Sequence, residues 1–368
     1  MKMINKINKI IAVITVILLT VSCEKDNDPI VKKLPTIAEV INSDLANYSV
    51  LKKGLETSLL FVTFTNNGSY TLFTPNNAAF AAYTSTNFPA GITEAILTST
   101  TTPLTVNQSN ELKRVLMYHV ISVATNAKDI PASDYLKTFS PFGTSTSISL
   151  SAFFNKTAGV VINGGVANGG AVVTAADIEA TNGVVHKIDA VLKLPTLVNQ
   201  VVANPALSTL LTTVTAPAQA AVLAQLVTPA FNTQLFAPDN KAFTDASAYL
   251  TGKSTADVSK ILRYHIATAG SFTRTENIGT SIRNINDGAA SNTTFLPITA
   301  TTDATVTTRA NVGTTAAFQT FRIERNSVKI FEIPAVTTLA ASKMKTVNIH
   351  TSNGIIHIVD RVLQPTLP

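Results

Sequence analysis

Leu72-Phe73-Thr74-Pro75-Asn76-Asn77-Ala78-Ala79-Phe80 returns further along the chain as Leu235-Phe236-Ala237-Pro238-Asp239-Asn240-Lys241-Ala242-Phe243. Two more blocks recur downstream in the same order. Leu116-Met117-Tyr118-His119-Val120 matches Leu262-Arg263-Tyr264-His265-Ile266, and the block from Asn182-Gly183-Val184-Val185-His186 through Asp189 to Leu192 matches Asn353-Gly354-Ile355-Ile356-His357 through Asp360 to Leu363. Three blocks repeated in one order mark a duplicated domain. A chain of 368 residues with 45% apolar and 14% charged content has the length and composition to build a core in each copy.

These blocks resemble the fasciclin domain: a strand ending in Phe-Thr/Ala-Pro ahead of a helix, a central Tyr-His, and a closing Asn-Gly-x-x-His-x-x-Asp-x-Val-Leu followed by proline. The resemblance runs from about Leu34 to the C-terminus. It implies an α+β fold of two tandem fasciclin-type domains, residues 34–195 and 196–368, each a wedge-like β-sandwich with several helices packed along one side. It leaves function open, because such domains serve in adhesion proteins, matrix proteins and bacterial lipoproteins.

The patterning agrees. Ile37, Val40, Ile41, Leu45, Tyr48, Leu51 and Leu55 recur at helical spacing, as do Leu197, Val198, Val201, Val202, Leu207, Leu210 and Leu211, so each copy opens with helices. Leu112, Val115, Leu116 and His119 share a helical face, as do Val258, Ile261, Leu262 and His265, and Ser254 with Asp257 fits a capping box. Pro75 and Pro238 fit the first turn of a helix, with Thr74, Asn76 or Asp239 as caps. Ala171 to Thr174 and Ser327 to Ile333 read as strands, and Asn182-Gly183 and Asn353-Gly354 as turns into the last strand. The copies differ in a Thr-rich loop at Thr98 to Val106 and in a longer segment, Thr280 to Asn326, that suggests extra hairpins. The short join at Leu194-Pro195-Thr196 predicts domains that touch and keep a restricted orientation.

The N-terminus reads as an export leader. Lys2, Lys6 and Lys9 precede an apolar run from Ile10 to Leu19, and Ser22 leads into Cys23, the single cysteine of the chain. This resembles a lipoprotein signal: residues 1–22 as the cleaved peptide, Cys23 as the lipidated residue and residues 23–33 as a tether. The acidic stretch after Cys23 resembles the signal of Bacteroidetes lipoproteins bound for the outer leaflet of the outer membrane, so a surface-exposed cell-envelope protein is expected. Losing the three leader lysines leaves 25 basic against 22 acidic residues, which is no nucleic-acid footprint. The expected partners are the membrane, through the lipid, and an extracellular protein or polysaccharide.

Catalytic and metal signatures are missing from the sequence: there is no HExxH, no paired cysteine, no Asp-rich calcium loop and no G-x-S-x-G. The glycine pairs at Gly164-Gly165 and Gly169-Gly170 lack the lysine and context of a phosphate loop and read as hairpin turns. No cofactor is expected. Four of the five histidines fall within the repeat, which favours a fold role; His186 and His357 read as satisfied core histidines and His350 as incidental. The candidate recognition or fold-motif residues are Tyr118, His119, Asp129, Tyr264 and His265. Asp129 enters because Asp-Ile motifs near the Tyr-His region contribute to integrin contact in animal fasciclin proteins; Asp129-Ile130 and Asp177-Ile178 carry it here, but Asn348-Ile349 replaces the latter in the second copy. The chain lacks tryptophan, the preferred platform for sugar stacking, leaving Tyr70, Tyr83, Tyr135 and Tyr249 as substitutes for an accessory glycan-binding protein. A plain spacer between envelope components is the third reading.

Overall fold

The computed structural model describes residues 33–83, 92, 94–99, 103–143, 148–227, 233–268 and 342–364, with strand segments at 272–275, 282–284, 304–308, 319–324 and 329–333. Cys23 and the leader and tether around it lie outside the described residues, as does most of Thr280 to Asn326.

In the first copy, strands β1 (Tyr70–Pro75), β2 (Val120–Ile121), β3 (Ser133–Pro141), β4 (Ser149–Asn155), β5 (Val161–Ile162), β6 (Ala171–Ala180) and β7 (Gly183–Ile188) form a sheet in the order β2-β1-β7-β6-β5-β4-β3. β1 and β7 run parallel, from Tyr70 opposite Gly183 to Pro75 opposite Ile188. The bend in the sheet sits at β6, which pairs with β5 through Ala171 and Val172 and with β7 through the rest of its length, with two register shifts on the way. Residues from both halves of the bent sheet, Phe73, Leu150, Phe154, Ile162 and Ile188 among them, meet in one buried cluster. A second cluster forms where helices cover the outer face, joining Leu72 and Val185 to Ile37, Ile41, Leu51, Leu55, Leu112 and Leu116. Each such fully buried side chain contributes roughly 1.5–3 kcal/mol.

The second copy repeats this frame. β8 (Thr233–Pro238) and β9 (Ile266–Thr268) precede β10 (Phe272–Thr275), β11 (Ile282–Asn284), β12 (Ala304–Thr308), β13 (Gln319–Glu324), β14 (Lys329–Ile333), β15 (Ser342–Thr351) and β16 (Gly354–Val359), in the sheet order β11-β10-β12-β13-β14-β15-β16-β8-β9. β8 and β16 are parallel in the register of β1 and β7. Within Thr280 to Asn326, where extra hairpins were expected, β12 and β13 form an antiparallel pair, while β11 pairs with β10, which precedes the segment.

Each run of helical periodicity is divided. The first becomes helices Ile37–Asn42 and Leu45–Thr57, and the second becomes Leu197–Ala203 and Ser208–Val214, parted at Asn204-Pro205. The expected capping box at Ser254 and Asp257 is present. The prolines require a correction: Pro75 and Pro238 close their strands rather than open helices. The caps are Asn76 and Asp239, accepting from the amides of Ala79 and Ala242 at 2.8 Å, while Thr74 donates to the His186 carbonyl instead. A proline there suits the last strand position, where a missing N–H breaks no ladder bond.

The Asn-Gly turns do more than reverse the chain. Asn182 accepts from the Ile37 amide at 2.9 Å and donates to the carbonyls of Phe64 and Asn66; Asn353 accepts from the Leu197 amide at 2.8 Å and donates to Leu226. Each asparagine thereby pins the last hairpin to the first helix of its own copy. The glycine after it has no room for a side chain: a Cβ would lie 1.9 Å from the Tyr70 carbonyl oxygen at Gly183 and 2.3 Å from that of Thr233 at Gly354.

Candidate functional site

The repeated Tyr-His pair is buried in both copies. His119 Nε2 lies 2.9 Å from the Leu192 amide, which can only donate, so Nε2 accepts and the proton sits on Nδ1, 2.8 Å from the Val115 carbonyl. His265 does the same between the Leu363 amide and the Ile261 carbonyl, both at 2.8 Å. Burial pushes each histidine down to about 4, against a smaller upward pull from its carbonyl partner. A neutral ring with both nitrogens engaged is a strut from the central helix to the end of the domain, so of the two roles open to His119 and His265 the geometry fits the fold-motif one. Tyr264 is likewise buried.

The other repeated polar residues are used in the same way. Asp189 accepts from the Val172 amide and Asp360 from the Lys343 amide, each at 2.7 Å. His186 accepts from the Asp177 amide at 3.2 Å and donates to the Thr125 carbonyl at 2.9 Å, a satisfied core histidine as expected. His357 is buried as expected but not satisfied as expected: it accepts from the Asn348 amide at 3.2 Å, while its Nε2 has no hydrogen-bond partner among the described residues. Asp129 stands apart, exposed in a turn and paired with Lys128 at 3.3 Å. The structure therefore does not bring the candidate residues into one surface site.

It does bring other polar residues together, at the joint between the copies. Tyr118 donates to the Ser151 carbonyl at 2.8 Å and accepts from Asn163 at 2.9 Å. Gln200, fully buried on the first helix of the second copy, donates to the same carbonyl at 2.8 Å. Ser151 Oγ accepts from the Lys137 ammonium at 2.9 Å and from the His350 amide at 3.1 Å. Lys137 also donates to His350 Nδ1 at 2.8 Å and to the Asn348 carbonyl. Asn168 and Asn199 bond each other across the joint, and Asn204 donates to the Tyr135 hydroxyl at 3.2 Å. Apolar groups cross too: Ile355 enters the first copy's cluster, Tyr135 packs on the second's, and Phe142 meets the His350 ring at 4.9 Å. The domains touch, as the short join predicts.

His350 is thus not incidental: it is 3% exposed and holds the joint. Burial first, then the Lys137 charge and the charge His357 would carry if protonated, push it down to about 3. Desolvation likewise pulls the Lys137 ammonium down to about 8, and every partner it has among the described residues is neutral. Sequence reading missed this cluster because Lys137, Ser151, Gln200 and His350 belong to no motif. The one available signal was that Gln200 breaks an otherwise apolar helix face.

A fasciclin domain model matches residues 46–195 and again residues 205–365. The chain belongs to the fasciclin domain family. A relative from Synechocystis, Protein sll1483, is 29% identical over 160 residues, covering 44% of this chain and 74% of its own length. A solved FAS1 domain pair from the insect cell adhesion molecule Fasciclin I covers 89% of this chain and 96% of its own, at 17% identity and a TM-score of 0.43.

Within these fasciclin domains the tyrosines offered for sugar stacking are spoken for. Tyr83 is buried, Tyr70 lies edge-on between Phe64 and Phe139, Tyr135 packs on Phe153 at the joint, and Tyr249 is half-buried beneath the Lys253 ammonium. Among the described residues no three His, Cys, Asp or Glu side chains converge as a metal site, and no single helix is long and apolar enough to cross a membrane.

Proposed function

We propose that this chain is a non-catalytic, lipid-anchored surface protein of the outer membrane whose paired fasciclin domains hold the cell to an extracellular protein. The observation that carries the reading is the fate of the repeated polar residues: Tyr118, His119, His265, Asn182 and Asn353 are buried and bonded inside the fold, and Asp189 and Asp360 each give a carboxylate oxygen to a backbone amide. What remains for a ligand is the outer surface and loops of two domains set side by side, which suits recognition of a large partner rather than chemistry on a small one. The leader ending at Cys23 supports export and lipidation. A protein ligand is favoured over a polysaccharide because the chain has no tryptophan and none of its seven tyrosines is fully exposed.

Two experiments test this. Cys23→Ala is expected to leave unlipidated precursor and to lose the mature membrane-bound form; unchanged fractionation would overturn the anchor. The chain from Glu24 to Pro368 is expected to bind saturably to immobilised matrix proteins and not to polysaccharides. Polysaccharide binding alone would replace adhesion by an accessory role in glycan capture, and silence across both panels would leave a spacer.

A further inference from the structure

The joint contains an unusual pair: a lysine ammonium donating to a histidine ring nitrogen across two domains, with no carboxylate partner for the lysine among the described residues. Lys137 can donate to Nδ1 only while that nitrogen is bare. If His350 gains a proton there, the hydrogen bond becomes a contact between two N–H donors, and two positive charges stand 2.8 Å apart in a partly desolvated site. We propose that Lys137 and His350 form a proton-sensitive latch that fixes the orientation of the two domains, and that protonation of His350 releases it.

The surroundings favour that response. The charged groups acting on His350 are Lys137 from β3 and His357 from β16, both positive when ionised, so neither offsets the new charge. β4 contributes neutral groups, the Ser151 hydroxyl and carbonyl and a backbone hydrogen bond from Ser149 whose upward pull on His350 is smaller than the effects of burial, Lys137 and His357, and the phenols Tyr118 and Tyr135 stay neutral because burial raises them. The direction follows from linkage. His350 sits below its ordinary value of 6.5 when the domains are docked and returns towards it when they part, so the docked form binds fewer protons. The contribution of His350 to docking is fully present above pH 6.5, and docking weakens by up to about tenfold per pH unit as the pH falls from there towards 3. Lys137, depressed from 10.5 to about 8, acts in the same sense, favouring the docked form as pH rises between those values. The latch is independent of what the protein binds.

The chain from Glu24 onward contains no cysteine, so probes can be placed at Asn67→Cys and Ala248→Cys, one exposed position per domain. Spin-label distances are expected to give one narrow population at pH 7.5 and a broad, longer one near pH 4.5, reversibly, with far-UV circular dichroism unchanged. His350→Gln keeps an acceptor for Lys137 without a titrating group and is expected to stay narrow at pH 4.5. Lys137→Met is expected to broaden the distribution already at pH 7.5. The latch is overturned if the unmodified protein stays narrow until its secondary structure melts, if His350→Gln opens at the same pH as the parent, or if Lys137→Met leaves the distance unchanged.

Discussion

The opening helices of the two copies, Ile37–Asn42 and Leu197–Ala203, are one element in two settings. Both start from a threonine cap in a reciprocal capping box, and both receive the asparagine of their own Asn-Gly turn at the first helical amide. They part where they face outward. Glu39, Val40 and Asp44 in the first copy stand where Asn199, Gln200 and Asn204 stand in the second, and exposed Glu179 on β6 stands where buried His350 stands on β15. The first copy carries charge on this face; the second has replaced three carboxylates and a valine by neutral hydrogen-bonding groups and docks it on its neighbour. Ionised carboxylates would pay a desolvation cost at a joint that amides do not. Repeated residues build the domain, and the positions that diverged build the joint.

The comparison is tested most severely by treating equivalent residues alike. His119→Ala and His265→Ala each remove a buried strut with two hydrogen bonds and leave a cavity, so each is expected to destabilise its own domain by roughly 3–4 kcal/mol. Urea unfolding of the full chain should show one domain melting early in either variant. A loss below about 1 kcal/mol in one copy and a full loss in the other would break the equivalence of the two struts.

The next test exchanges what differs. Gln200→Val gives the second helix the residue of the first and removes a buried bond to the Ser151 carbonyl, which keeps its bond from Tyr118. A loss of about 1 kcal/mol is expected, together with less cooperative melting of the two domains. Val40→Gln places the polar group on a half-buried face with no neighbouring domain among the described residues and should change cooperativity not at all. If both substitutions uncouple the domains equally, the joint does not depend on Gln200.

How much of this was legible in the sequence follows from the range of the interactions. The repeat, the helical stripes and the Ser254 capping box are local patterns and read directly. Pro75 was misplaced by two positions because a strand end and a helix start lie side by side there, and a missing amide suits either. Tyr118 and His119 read from the repeat as recognition or fold-motif residues without their burial being visible, and their partners Ser151 and Leu192 lie 33 and 73 residues away and carry no mark of the contact. His350 escaped altogether: its meaning depends on Lys137, 213 residues earlier and in the other domain. Joint residues are the least legible class, because nothing in either copy alone requires them.

Asp129 supplies the smallest and sharpest test. It is the one candidate residue that the fold leaves in solvent: its backbone amide is tied to Asn126 at 2.9 Å, its side chain pairs with exposed Lys128 and no other charged group among the described residues, and the next residue, Ile130, anchors the turn in the core. An exposed pair of this kind contributes little, so Asp129→Ala is expected to shift stability by less than about 0.5 kcal/mol in urea unfolding. Ile130→Ala, by contrast, should cost about 2–5 kcal/mol by opening a cavity beneath the same turn. Any change in ligand binding produced by Asp129→Ala would then belong to recognition and not to folding, and it would assign the binding surface to the first domain. Unchanged binding would turn attention to the segment where the second copy is longer, since there too the copies have diverged without the fold requiring it.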